Sequence, residues 1–186
     1  MDEHNTKTDE EIASLIKQGD EKAFGIVMDR YSQKLLRYGR KFLSNPDNIE
    51  DIVQDVFIKV YQNIKSFDND KKFSPWIYRI AHNSFVNHIR DNAKEPLLFF
   101  DFDSIVNHPI YEDTAVDEKE NEKIRVLLER GIEKLTPVYR EVVTLHYFEY
   151  MSYQEIADVL HVPIGTVGIR LRRAREILSK NITYDE

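Results

Sequence analysis

The sequence contains no cysteine. That excludes a disulfide framework, a thiolate metal site and a cysteine nucleophile, and it fits a reducing compartment. Glycine and proline are scarce, six of each, and almost every apolar pattern has a helical period. Long apolar runs are also missing. The longest, LLFF at residues 97–100, is far short of the roughly 20 residues a membrane span needs, so no membrane insertion is expected. The first residues, MDEHNTKTDEE, are too acidic and polar for a secretory signal, and a soluble, cytoplasmic location is expected. The histidines at positions 4, 82, 88, 108, 146 and 161 are never paired at i, i+3 or i, i+4. There is no H-E-x-x-H and no glycine-rich phosphate loop. No enzyme activity, cofactor or metal is expected.

The chain has 186 residues, enough for one large domain or two small ones. With 41% hydrophobic and 32% charged residues it is polar for one globular block, yet well above the composition of a disordered chain. The formal charge of −7 is unevenly spread. Residues 1–95 carry 15 basic and 16 acidic side chains, and residues 123–186 carry ten and nine. Residues 96–122 carry one basic side chain, Lys119, and eight acidic ones. Two near-neutral blocks thus flank an acidic segment that has Pro96, Pro109 and no sustained period, which reads as a linker. An acidic average does not exclude nucleic-acid binding, because local basic faces decide that.

The first block reads as four helices. Thr8 and Glu11 have the S/T-x-x-E form of a capping box and open a short helix that stops near Gly19. A second helix is expected from about Asp20 to Ser44, ended by Asn45-Pro46. A third, about 47–65, places Ile49, Ile52, Val53, Val56, Phe57, Val60, Tyr61 and Ile64 on one face. Its opposite face presents Asp51, Gln54, Asp55, Ile58 and Gln62. Ile58 is either a scattered exposed hydrophobe or the apolar anchor of a partner surface. A fourth helix, about 74–91, has an inward stripe of Trp76, Ile77, Ile80, Ala81 and Ser84. Another of its faces gathers Arg79, His82, Asn83, Val86 and Arg90 without a carboxylate. That face is either a solvated basic face or a binding one.

After the linker, helices are expected at about 119–134, 136–148, 152–161 and 166–179. Ser152 and Glu155 form a second capping box. A short turn, HVPIGTV, with Pro163 and Gly165, then joins the last two helices in a helix-turn-helix pattern. In the last helix Val167, Leu171, Ala174 and Leu178 share the core side. The far side presents Ile169, Arg172, Arg173, Glu176 and Lys180, with Arg170 and Arg175 flanking. Such a helix suits a DNA major groove, where a bidentate Arg–guanine pair is worth about 1–3 kcal/mol and phosphate contacts add salt-dependent affinity. The alternative is a basic amphipathic helix that packs on protein.

Together these stretches resemble the sigma-70 family of bacterial transcription initiation factors, specifically its compact extracytoplasmic-function (ECF) group. DNIEDIVQDVFIKVYQNIKSFD (47–68) is similar to the family's core-polymerase-binding helix. KFSPWIYRIAHNSFVNHIRD (72–91) is similar to its promoter-melting and −10 segment. LTPVYREVVTLHYFEYMSYQEIADVLHVPIGTVGIRLRRAREIL (135–178) is similar to its −35-binding domain. With Gly19-Asp20-x-x-Ala23-Phe24, the likeness covers nearly all of 10–180 except the linker.

The resemblance implies an all-α protein of two small helical domains. Region 2 would occupy 8–95, the acidic linker 96–118, and region 4, a helix-turn-helix, 119–182. It implies a factor that binds core RNA polymerase and directs it to promoter DNA, with an anti-sigma factor as a further partner. Asp51, Gln54, Asp55, Ile58 and Gln62 would face the polymerase clamp. The loop 67–73, with Lys72, Arg79, His82, Asn83 and Arg90, would meet the single-stranded −10 element, where a cationic groove captures an unpaired base. Trp76 is expected in the core, with base stacking as the alternative. Thr166, Ile169, Arg170, Arg172, Arg173 and Arg175 would contact duplex −35 DNA. Leu97 to Phe100 would be either a docking point on the polymerase or a small local cluster.

Three positions depart from the family pattern. Gly168 and Ile169 stand where a cation and a hydroxyl residue usually follow Gly-Thr-Val, and Pro75 replaces the usual threonine before Trp76. Ile169 is expected to face outward and touch a thymine methyl. A stand-alone helix-turn-helix regulator with a protein-docking helical domain is the rival expectation.

Overall fold

In the computed structural model the described residues are 6–92 and 131–182. The linker 96–118 and most of the helix expected at 119–134 lie outside them. The described residues are helical, and the chain divides into two compact units, Met1–Pro96 and Leu97–Glu186.

The first unit holds α1 (Asp9–Lys17), α2 (Glu21–Gly39), α3 (Pro46–Asn63), a short 3-10 turn (Ile64–Ser66) and α4 (Phe73–Asn92). Local chemistry sets the helix starts. Thr8 Oγ1 accepts from the Glu11 N–H at 3.3 Å while Glu11 Oε2 accepts from the Thr8 N–H at 2.8 Å, the reciprocal bonds of a capping box. Gly19, at φ +95°, supplies the left-handed residue that lets α1 end and the chain turn. Asp20 then caps α2 by accepting from the Lys22 and Ala23 N–H groups at 2.9 and 3.2 Å. Asn45 caps α3, and Pro46 takes its first turn, where a missing N–H costs nothing.

Helix α2 ends at Gly39, five residues before the expected stop. At Gly39, side chains of both α3 and α4 crowd α2. A Cβ there would lie 2.5 Å from Phe85 Cζ and 2.6 Å from Ile49 Cγ2. The bundle core joins Val27, Tyr31, Leu35 and Tyr38 of α2 to Ile49, Val53, Val56 and Val60 of α3 and to Phe73, Ile77, Ala81 and Phe85 of α4. Ile12, Ala13 and Ile16 of α1 close it on one side. Aromatic rings fill the centre. Tyr38 meets Tyr78 edge-on at 5.2 Å, and Phe42 stacks on Phe85 at 5.4 Å.

The second unit holds a 3-10 turn (Ile132–Lys134), α5 (Pro137–Val143) continuing into a π turn (Thr144–Phe148), α6 (Tyr153–Leu160) and α7 (Ile164–Ile182). The expected helix 136–148 is therefore α-helical only in its first half. The Glu149 N–H reaches back to the Thr144 carbonyl at 3.2 Å, widening the last turn. The Ser152–Glu155 capping box is formed, with bonds of 3.2 and 2.7 Å. The turn between α6 and α7 differs in detail from the sequence expectation. His161, at φ 54° and ψ 43°, takes the left-handed position, while Gly165 already belongs to the first turn of α7. Helix α7 therefore begins at Ile164 rather than 166 and packs on both α5 and α6.

Candidate functional site

The outer face of α3 is built as the helical period predicts. Ile49, Ile52, Val53, Val56, Phe57 and Val60 are buried, which leaves Asp51, Gln54, Asp55, Ile58 and Gln62 exposed. Ile58 is 53% exposed and has company. Met28 of α2 is 40% exposed and Tyr61 of α3 50%. These side chains, with Phe24, Phe57 and Gln54, line a groove of about 580 Å³ between α2 and α3. Tyr61 is held there by an edge contact with Phe24, centroids 5.1 Å apart. Ile58 therefore belongs to an apolar patch bordered by Glu21, Gln54 and Gln62, with Asp51 and Asp55 exposed on the same helix. The sequence pattern missed Tyr61 by counting it with the buried stripe. One helix's wheel cannot show that its edge residue opens onto a neighbour.

The five residues expected at the −10 element, four of them on α4, do not form one cluster. Arg79 and Asn83, one turn apart, line a groove of about 400 Å³ together with Trp76, Ile80, Asn87, Lys59 and Asn63. Trp76, expected in the core, is half-buried. Its ring leans on Phe67 and Phe73 at 5.3 and 5.5 Å, so one side packs and another lines the groove. Lys59 donates to Ser84 Oγ at 2.9 Å across the groove floor. His82 lies on a different side of α4: its Nδ1 is 3.2 Å from the Tyr38 hydroxyl and its ring 6.2 Å from Phe42. Lys72 precedes α4 and Arg90 sits near its end, so about 27 Å of helix separates them at 1.5 Å per residue. Arg90 is exposed and pairs with Asp91 at 3.3 Å.

On α7, Arg172 and Arg175 are exposed, and Thr166, Arg170 and Arg173 are half-buried. The Arg172 guanidinium reaches Glu176 at 3.7 Å, one turn on. Ile169 departs from its expected place. It is 7% exposed and lies in the core, so it offers no methyl groups to a thymine. The error has a physical cause. The wheel assumed one buried stripe, through Val167, Leu171, Ala174 and Leu178, but a helix packed against two neighbours is covered on more than one side. Gly168 beside it is half-buried, with Tyr153 Cε2 3.6 Å from where its Cβ would be.

Two family models match these two units in order. "Sigma-70 region 2" matches residues 27–95, and "Sigma-70, region 4" matches residues 125–178. The ECF RNA polymerase sigma factor SigW of Bacillus subtilis (strain 168) is 36% identical over 178 residues, covering 90% of this chain and 92% of that protein. The chain belongs to the ECF sigma factors.

Solved relatives share the fold. The structure of CnrH in complex with the cytosolic domain of CnrY covers 97% of this sigma factor and 100% of that chain, at TM-score 0.64 and 26% identity. The sigma factor RpoE of Bartonella quintana, in complex with the anti-sigma factor NepR, covers 89% and 99%, at TM-score 0.61 and 25% identity. The region 2 match takes in α3, α4 and the loop between them. The region 4 match takes in α5, α6 and most of α7. Among the described residues, no helix is long and apolar enough to cross a membrane.

Proposed function

We propose that this sigma factor binds core RNA polymerase and directs it to promoters through separate −10 and −35 contacts, with no catalysis of its own. The observation that carries this is the order of the two matches, region 2 then region 4, within a likeness to SigW that spans nine-tenths of the chain. The rival, a stand-alone helix-turn-helix regulator whose first unit only docks a protein, does not account for the region 2 match over residues 27–95. The functional units are 8–95 and 119–182, joined by the acidic linker 96–118, and the chain acts in the cytoplasm, where the polymerase is.

Asp51, Gln54, Asp55, Ile58 and Gln62 form the polymerase-facing surface. Supporting this is an exposed apolar centre with a polar rim, the layout of an energetically focused interface. Arg79 and Asn83 make the −10 groove with Trp76, which joins cationic, amide and aromatic groups suited to an unpaired base. Lys72 and Arg90 extend its reach along the strand, and His82 holds the packing against Tyr38. Thr166, Arg170, Arg172, Arg173 and Arg175 meet duplex −35 DNA. An anti-sigma factor is the expected regulator, since the Bartonella relative is held by one.

Run-off transcription tests the assignment. The purified chain is mixed with sigma-free bacterial core polymerase on fragmented genomic DNA, and the 5′ ends are mapped. Discrete chain-dependent starts that share one motif near −35 and one near −10 are expected. No such starts, together with no co-elution on core polymerase, would replace this function with the stand-alone regulator.

A further inference from the structure

Helix α1 belongs to none of the surfaces above, yet it holds the loop that leads into α4. Glu10, Ser14 and Lys17 recur at i, i+4 and i+7 and so share one face of α1. Lys17 Nζ donates to the Phe67 carbonyl and, at 2.5 Å, to Asn69 Oδ1. It also lies 5.5 Å from the centre of the Phe67 ring, within cation–π range. The Asn69 side-chain amide donates to Ser14 Oγ. Glu10 Oε1 accepts from the backbone N–H of Phe73 at 2.9 Å. That N–H is one of the donors a helix start leaves without an intrahelical acceptor, so α4 is capped from another helix.

The other end of α1 is fastened to α2. Asp9 accepts from the Arg30 guanidinium and from the Tyr31 hydroxyl, each at 2.6 Å. Arg30 also donates to the Lys7 carbonyl at 2.9 Å. Helix α1 is thus a bracket, bolted to the bundle at its start and gripping the 67–73 loop with its polar face. Phe67 and Phe73 bury the two ends of that loop, and Trp76 of the −10 groove rests on both rings.

We propose that Lys17 and Ser14 are positioning residues for −10 recognition. By fixing Phe67 and Asn69 they hold the loop, and through Phe67 the Trp76 ring, in the arrangement that reads an unpaired base. The proposal rests on the assignment of this loop and groove to the −10 element. A loop already held in its binding geometry loses less entropy when it binds. It also rejects the wrong base better, because supported groups cannot shift to accommodate it.

The test uses holoenzyme assembled from sigma-free core polymerase and full-length chain, either unaltered or carrying Lys17→Met, Ser14→Ala or Lys17→Arg. The template is a promoter mapped with the unaltered chain and then randomised across its −10 element, and transcripts are sequenced. With Lys17→Met the preference for the best base over the others is expected to fall about fivefold to tenfold, the low end of what one mismatched base costs. Ser14→Ala should give a smaller fall, and Lys17→Arg should restore the preference, while affinity for core polymerase stays unchanged. A role confined to stability would lower output from all templates in proportion and leave the base preference intact, which would overturn the proposal. If Lys17→Met does not fold, Ser14→Ala decides by the same ratio. If the unaltered chain initiates with no −10 preference at all, the −10 assignment itself is wrong and this proposal falls with it.

Discussion

Gly168 and Ile169 are adjacent in α7 and should respond to substitution in opposite directions. A methyl group at 168 would meet Tyr153 Cε2 at 3.6 Å, an ordinary contact, with no clash. Glycine inside a helix costs about 0.8–1.0 kcal/mol relative to alanine. Gly168→Ala is therefore expected to raise the stability of the second unit by up to about 1 kcal/mol. Ile169 is buried, so Ile169→Ser removes apolar packing and buries a hydroxyl, costing at least about 2 kcal/mol. Urea unfolding followed by circular dichroism reads both shifts. Equal midpoints for Ile169→Ser and the unaltered chain would return Ile169 to the surface. The pair also marks a limit of the sequence pattern. Val167, Leu171, Ala174 and Leu178 were legible as core because they repeat along one stripe. Ile169 was not, because its burial comes from a second packed side that only the tertiary arrangement reveals.

Elements were legible where their signals are local. Both capping boxes join residues three apart, and Asn45-Pro46 carries a stop and a start within two residues, so those helix starts were visible in the sequence. The end of α2 was not. It falls at Gly39, where the side chains of Phe85 and Ile49 press against the backbone, and those neighbours come from two other helices. The same distinction governs the candidate sites. The polar face of α3 followed from its own period, whereas the groove it shares with α2 needed Met28 and Tyr61 placed beside Ile58. That groove sharpens a prediction for α3. Ile58→Asp puts a charge at the centre of an exposed apolar patch, and Asp55→Arg reverses an exposed charge on the same helix. Neither touches the core, so thermal midpoints should move little. Affinity for core polymerase should fall at least about fivefold for Ile58→Asp, since the few residues worth more than about 1 kcal/mol cluster near the centre of an interface. Titration of labelled chain into core polymerase checks this. Undiminished affinity in both variants would remove α3 from the polymerase interface.

Across the whole molecule, charge separates two duties that the units on their own would confuse. A region 4 that carries Arg170, Arg172, Arg173 and Arg175 attracts any duplex, whatever its sequence. A sigma factor occupied by random DNA would be lost to the polymerase. The eight acidic side chains of residues 96–122 are expected to oppose that attraction, because like charges repel the phosphates. This effect needs only their charge and their tether to region 4. Replacing those eight Asp and Glu residues by Asn and Gln changes the formal charge from −7 to +1. The substituted chain is expected to bind random-sequence duplex at least about tenfold more tightly at 50 mM salt, measured by fluorescence anisotropy without polymerase. The gap should narrow as salt rises, since charges interact over only about 8 Å at physiological ionic strength. A gap that persists at 0.5 M salt would mean that the substitutions created direct contacts. No gap at 50 mM would mean that region 4 avoids random duplex by its own design. In that case selectivity would rest on α7 alone.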